Sequence, residues 1–197
     1  MEVREASKAN IGKIVEVHLS AFPGFFLTEL GEKFLTLYYE CVLNSEDGIL
    51  LSCFDEGNII GFCAATTRSA GYNSRLIKHN FLKFAPIGAK LCITKPGAII
   101  RLANNLTKSG STEDKGDYGE LLSIGVSSEA QGKGVGKALL GKLEQSMSEV
   151  GVKRLSLTTD FEENEKTLHF YSSIGFKKLY EFVAYPNRRM YRLIKEL

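Results

Sequence analysis

At 197 residues, with 44% hydrophobic and 24% charged side chains, the chain has the balance of one globular domain large enough to bury a core. A net charge of +2 gives no argument for a nucleic-acid partner. No apolar run approaches the roughly 20 residues needed to cross a bilayer, and Met1–Glu5 is no signal peptide, so the expectation is a cytoplasmic protein with no membrane partner.

Val3–Ala6 reads as a short opening strand. Residues 8–22 read as a helix, with Ile11, Ile14, Val15, His18 and Phe22 on one face and Ser7 as N-cap. Phe22-Pro23-Gly24 ends it, and a second helix follows Thr28 with Leu30, Phe34, Leu37, Tyr38 and Cys41 at helical spacing. Gly48–Phe54 and Ile59–Thr67 alternate as strands around the turn Asp55-Glu56-Gly57-Asn58, which predicts a hairpin. Residues 69–117 form an insertion with two amphipathic helices expected, one around Leu76–Phe84 and one over Pro96–Leu106. The polar run Ser109–Asp117 then reads as a mobile loop.

Order returns at the strand Glu120–Val126, the helix 134–150 closed by Gly151, and the strand Leu155–Thr159. A helix over Asn164–Ser173, stopped by Gly175, precedes two terminal strands, Phe176–Ala184 and Arg189–Ile194. The strands flanking the 134–150 helix should be parallel, joined by a right-handed crossover. The hairpin and the terminal pair should be antiparallel, which gives a mixed α/β architecture with helices on both faces of the sheet. The cysteines Cys41, Cys53, Cys63 and Cys92 are scattered and read as buried free thiols in a reducing compartment. His18, His79 and His169 form no ligand cluster, so no metal is expected.

The most informative stretch is Gln131-Gly132-Lys133-Gly134-Val135-Gly136-Lys137, between an apolar strand and a helix. Free N–H groups at a helix start, with no Cβ in the way, suit a phosphate or pyrophosphate. A Walker loop is excluded because Ala138 follows Gly136-Lys137 where a hydroxyl is required. A dinucleotide fingerprint is excluded because its third glycine position is Lys137. The remaining pattern is Gln/Arg-x-x-Gly-x-Gly/Ala, matched by Gln131, Gly134 and Gly136.

With that loop, and with Asn164 and Phe170-Tyr171-Ser172-Ser173-Ile174-Gly175-Phe176 in the right order and separation, the sequence resembles the GCN5-related N-acetyltransferase (GNAT) family over roughly residues 120–180. The resemblance implies the acyl-CoA N-acyltransferase fold: a mostly antiparallel sheet of about seven strands whose one parallel pair splays to form a cofactor cleft. It implies acetyl-CoA as co-substrate, gripped by the backbone of Gln131, Gly132, Lys133, Gly134, Val135, Gly136 and Lys137. Backbone groups of Ile124, Gly125 and Val126 would pair with the pantetheine like an added strand. Tyr171 would be the general acid for the departing thiolate, and Asn164 would touch the cofactor or cap its own helix.

Glu120, at the start of the motif strand, is the expected general base, with Asp160 in reserve and His79 a distant third. Phe25 and Phe26 lie where the family forms its acceptor pocket. Residues 69–112 carry seven basic residues and no acidic one. That suggests either a solvated helical face or, through Arg75 and Lys78, contact with an acidic acceptor such as a nucleotide-linked amino sugar. The expected activity is acetyl transfer to a small-molecule primary amine. A protein N-terminal or lysine acetyltransferase and a non-catalytic acetyl-CoA sensor are the alternatives, and the terminal strands leave a homodimer open.

Overall fold

The computed structural model describes residues 1–107 and 114–197, so most of the polar run expected to be a mobile loop lies outside the described residues. Its seven-stranded sheet has the order β1-β2-β3-β4-β5-β7-β6. The strands are β1 (Glu2–Glu5), β2 (Gly48–Asp55), β3 (Asn58–Thr66), β4 (Gly119–Val126), β5 (Arg154–Asp160), β6 (Lys177–Ala184) and β7 (Arg188–Glu196). Every neighbouring pair is antiparallel except β4–β5. The β2–β3 turn has Glu56 at φ 47° and Gly57 at φ 81°, the two positive values that a tight hairpin requires.

Alternation along the central strands builds a core on each face. Leu50, Phe54, Phe62 and Ala64 point to the side covered by α1 (Ile11–Ala21), the one-turn α2 (Phe26–Glu29) and α3 (Glu32–Leu43). Leu51, Cys53, Cys63 and Ala65 point to the other side, where α7 (Val135–Glu149) lays Leu139, Leu140, Leu143 and Met147 across them. The first helix is shorter than expected: residues 8–10 form a 3₁₀ turn, held by the Ser7 N–H donating to Asn10 Oδ1 at 2.8 Å. Cys41, Cys53 and Cys63 are buried thiols as expected, whereas Cys92 is exposed.

Among its described residues the segment between β3 and β4 holds three helices in place of the two expected: α4 (Tyr72–His79), α5 (Phe81–Thr94) and α6 (Pro96–Thr107). Asn80 divides the first from the second. At φ −109° and ψ 20° it leaves helical geometry, and its side-chain Nδ2 donates to the Leu76 carbonyl at 3.0 Å. The segment is pinned to the body by Phe34 against Phe84 (ring centroids 5.3 Å apart) and by Arg75 on Asp47 (3.2 Å).

The parallel pairing of β4 with β5 covers only Gly119–Leu155, Glu120–Ser156 and Leu121–Leu157. Beyond it the strands run on without each other. On its other edge β4 carries a bulge: Ala64 pairs Ser123 and Ala65 pairs Leu121, leaving Leu122 as the extra residue. The last helix, α8 (Glu165–Ser173), follows β5.

Two stability predictions follow from this packing. A Cβ at Gly48 would lie 2.1 Å from the Val42 backbone carbonyl oxygen, so Gly48→Ala should cost about 1–3 kcal/mol in urea unfolding, through a lower midpoint. His18 is 2% exposed, with Nδ1 2.6 Å from the Tyr39 hydroxyl. Burial lowers its pKa from 6.5 to about 4. The unfolded chain therefore takes up a proton that the folded chain refuses, and stability should fall as pH drops through that window. The full loss is about 3 kcal/mol, and His18→Gln should flatten the slope of unfolding free energy against pH.

Candidate active site

Gly134 is the N-cap of α7 at φ 81°, and Gly132 sits at φ 75°. Both adopt a left-handed conformation that other residues rarely hold, and the space where their Cβ atoms would stand is open. The Lys133 N–H reaches back to the Ala130 carbonyl at 3.4 Å, and the first bond of helical type is Ala138 N–H to the Gly134 carbonyl at 3.0 Å. Among the described residues nothing accepts from the N–H groups of Gly132, Gly134, Val135, Gly136 or Lys137. The Val135 side chain is buried in the α7 core, so its contribution here is through the main chain. The Gln131, Lys133 and Lys137 side chains are exposed. The loop thus offers a row of donors at the positive end of a 15-residue helix.

Next to it the splayed strands open a cleft. One part, of about 440 Å³, is bordered by Phe22, Phe25, Ile124, Asn164, Tyr171 and Arg188. The other, of about 650 Å³, is bordered by Ser69, Tyr118, Glu120, Phe182, Tyr185 and Arg192. The two share Phe26, Thr158, Arg188 and Met190, so they are continuous. Ile124 and Val126 pack their side chains on the α7-side core. Their backbones pair with β3, and on the cleft side β4 has no strand partner past Leu121.

Tyr171 is 7% exposed, and its ring rests edge-on against Phe170 and Phe176 at 5.2 and 5.5 Å. Burial first, then the neighbouring Cys63, pushes its pKa well above the ordinary phenol value, so the hydroxyl stays protonated. Asn164 is at the start of α8, but its side chain caps no N–H there. Instead Nδ2 donates to Thr159 Oγ1 and to the Asp160 carbonyl, both at 2.7 Å. That fixes the amide against the end of β5.

Both candidate bases are held by arginines of β7. Glu120 Oε1 accepts from Arg192 at 2.6 Å, and its Oε2 accepts from Ser69 Oγ at 2.5 Å. Arg192 also donates to Ser156 Oγ at 3.2 Å. Burial opposes the charge on Arg192, but Glu120, Tyr118 and Tyr180 together outweigh it and hold the guanidinium above its ordinary pKa. Asp160 takes a two-pronged contact from Nε and Nη2 of Arg188. A third carboxylate, Asp114, accepts from the Tyr118 and Tyr180 hydroxyls, each at 2.5 Å. Burial alone would raise its pKa, and these hydrogen bonds lower it below the ordinary value.

Phe25 and Phe26 border the cleft, with Arg188 5.2 Å over the first ring and Arg101 5.0 Å over the second. Arg75 and Lys78 do not reach it. Asp47 and the carbonyls of Ala70 and Arg68 take the Arg75 guanidinium, and Lys78 is exposed on α4. His79 borders a separate cavity of about 490 Å³ with Arg75, Glu40 and Asp47. Neither Arg75 nor Lys78, read in the sequence either as part of a solvated face or as an acceptor contact, is among the residues that border the cleft. Arg188 and Arg192 went unread in the sequence, although Arg188, Met190 and Arg192 stand two apart on one strand face. Among the described residues no group of three or more His, Cys, Asp or Glu side chains could hold a metal ion.

The sequence model of the Acetyltransferase (GNAT) family matches residues 13–176. The chain is 32% identical over 102 residues to a mycothiol acetyltransferase of Propionibacterium freudenreichii subsp. shermanii, a match covering 52% of this chain and 31% of that protein. The chain thus spans about a third of the length of that relative. Among solved structures it superposes on a ribosomal-protein-alanine N-acetyltransferase from Brucella melitensis with a TM-score of 0.66 at 16% identity, covering 100% of both chains. It also superposes on the PaiA N-acetyltransferase of Thermoplasma acidophilum in complex with coenzyme A, with a TM-score of 0.55 at 16% identity, covering 100% of this chain and 98% of that one. At these identities the structures speak for the fold, and the family match, which takes in both the glycine loop and the Tyr171 helix, carries the assignment: the chain belongs to the GNAT family of acetyltransferases.

Proposed function

We propose that the protein transfers an acetyl group from acetyl-CoA to the primary amine of a small-molecule acceptor by direct attack in a ternary complex. The observation that carries this reading is the set of uncommitted N–H groups at Gly132 and residues 134–137, beside a cleft between splayed strands that Tyr171 of α8 also borders. A diphosphate suits that row of donors. Backbone groups of Ile124, Gly125 and Val126 would hold the pantetheine arm, and Asn164, which borders the same cleft, would offer its Oδ1 as an acceptor. Bound there, acetyl-CoA supplies an activated thioester carbonyl.

The chain's own groups would do the rest. Glu120 accepts the amine proton through a water, and Arg192 holds that carboxylate in position. Tyr171 donates its proton to the leaving sulfur. Phe25 and Phe26 wall the acceptor side, and each part of the cleft, at about 440 and 650 Å³, lies within the roughly 300–1,000 Å³ range of small-molecule sites and suits a compact amine. Much of the rate would come from holding amine and thioester at near-attack distance. The basic residues that suggested a nucleotide-linked acceptor point elsewhere, so the acceptor class proposed is a small amine without that requirement. A homodimer is no part of the mechanism, since one chain supplies every group named.

Release of free thiol over a panel of amines, peptides included, tests the reading: turnover on small amines but not on peptides is expected. Tyr171→Phe should lower kcat by about 10²–10⁴-fold with acetyl-CoA affinity unchanged by calorimetry. Unchanged turnover in that variant would remove Tyr171 from the chemistry. Gly134→Val forces a branched side chain into a left-handed conformation costing about 1–2 kcal/mol or more, so acetyl-CoA binding should weaken by at least about tenfold.

A further inference from the structure

We propose that the α4–α6 segment docks the protein on an anionic phospholipid surface, with α5 lying along the lipid headgroups. Leu82, Pro86, Ala89 and Ile93 fall four, three and four residues apart on α5, which places them in one stripe along the helix. The stripe faces outward: Leu82 is 85% and Ile93 86% exposed, and Pro86 and Ala89 are exposed as well. Phe81, at 62%, and Ile100 on α6, at 51%, extend it sideways. This gathers the described chain's two most exposed large hydrophobics on one short helix. Beside Phe81 and Ala89 opens an apolar groove of about 300 Å³, lined among others by Phe34, Ala85, Gly88, Ile99 and Leu102. Patches of this kind mark interaction surfaces.

Charge says what covers it. Residues 69–112 hold seven of the chain's 25 Lys and Arg and none of its 23 Asp and Glu. Arg75 and Arg101 are committed to Asp47 and Glu29, and Lys95 donates to the Glu29 carbonyl. Lys78, Lys83 and Lys90 make no ion pair among the described residues, and Lys83 and Lys90 each follow a stripe residue by one position. Apolar side chains flanked by lysines free of ion pairs, on a segment that itself carries no carboxylate, match a negatively charged interface in which phosphates meet the lysines and acyl chains meet the stripe. A second copy of the chain fits less well, because a two-fold contact would set this cationic row against itself. Among the described residues no helix is long and apolar enough to cross a membrane, and a contact of this kind needs none.

Vesicle co-sedimentation of the full chain tests the proposal, with phosphatidylcholine alone compared with phosphatidylcholine containing phosphatidylglycerol. Binding is expected only to the anionic vesicles and should weaken as salt rises. Leu82→Ser with Ile93→Ser, and separately Lys83→Glu with Lys90→Glu, should each lower partitioning by at least about tenfold. Both double variants should keep acetyl-CoA affinity, since none of the four side chains borders the cleft. No binding to anionic vesicles, equal binding to neutral ones, or full binding by either variant overturns the proposal. So does a concentration-dependent dimer that Leu82→Ser with Ile93→Ser dissolves, because it would assign the stripe to a second copy. The proposal stands apart from the acetyl-transfer reading: lost vesicle binding leaves thiol release untouched, and a failed amine panel leaves vesicle binding untouched.

Discussion

Parallel pairing between β4 and β5 stops after three residue pairs, and the site depends on that early stop. A full ladder would commit the free edge of β4 and close the space bordered by Ile124, Asn164 and Tyr171. The strands can afford to separate because each is secured on its far side. β3 pairs with β4 as far as Val126, and β7 pairs with β5 along its whole length, from Arg154 to Asp160. The bulge at Leu122 adds local twist in the same place. Backbone groups that would otherwise be spent within the sheet become available to a ligand.

The acceptor side is organised by charge pairs. Arg188 and Arg192 stand on one face of β7, four residues apart, and each clasps one of the two carboxylates that the sequence offers as bases. A carboxylate so clasped is held in place, and removing its arginine would leave a partly buried acidic side chain without its ion-pair partner. Side-chain exposures of 14% for Arg192 and 17% for Glu120 keep that pair only weakly screened. The hydroxyls of Tyr118 and Tyr180 hold Asp114 in the same region, with the Arg192 guanidinium 5.6 Å over the Tyr118 ring.

The parts of this arrangement that could be read from sequence are those with a strong local cause. Gly132 and Gly134 announce left-handed backbone, and the alternating apolar residues of β2 and β3 announce a sheet buried on both faces. The order of β4, α7, β5 and α8 follows from the same cues, as does the hairpin turn at Glu56-Gly57. Non-local causes stayed hidden. A strand such as Arg188–Arg192 looks like a solvated edge until its partners Glu120 and Asp160, remote in sequence, are seen across the cleft. Net charge over residues 69–112 has no direction, so Arg75 could not be seen to face Asp47 in place of a ligand. Asn80 splits α4 from α5 by a side-chain bond to the Leu76 carbonyl, a competition that apolar periodicity does not record.

The order of strands has a consequence for biosynthesis. β7 is inserted between β5 and β6 yet is translated after both. On the ribosome β5 therefore emerges with one edge waiting, and β6 has nothing to join until residues 188–196 leave the exit tunnel. Both guanidinium groups that hold Glu120 and Asp160 arrive in that same late stretch. The nascent chain thus completes its sheet and its charged cleft in a single closing event, and a polypeptide released before Arg188 would lack both.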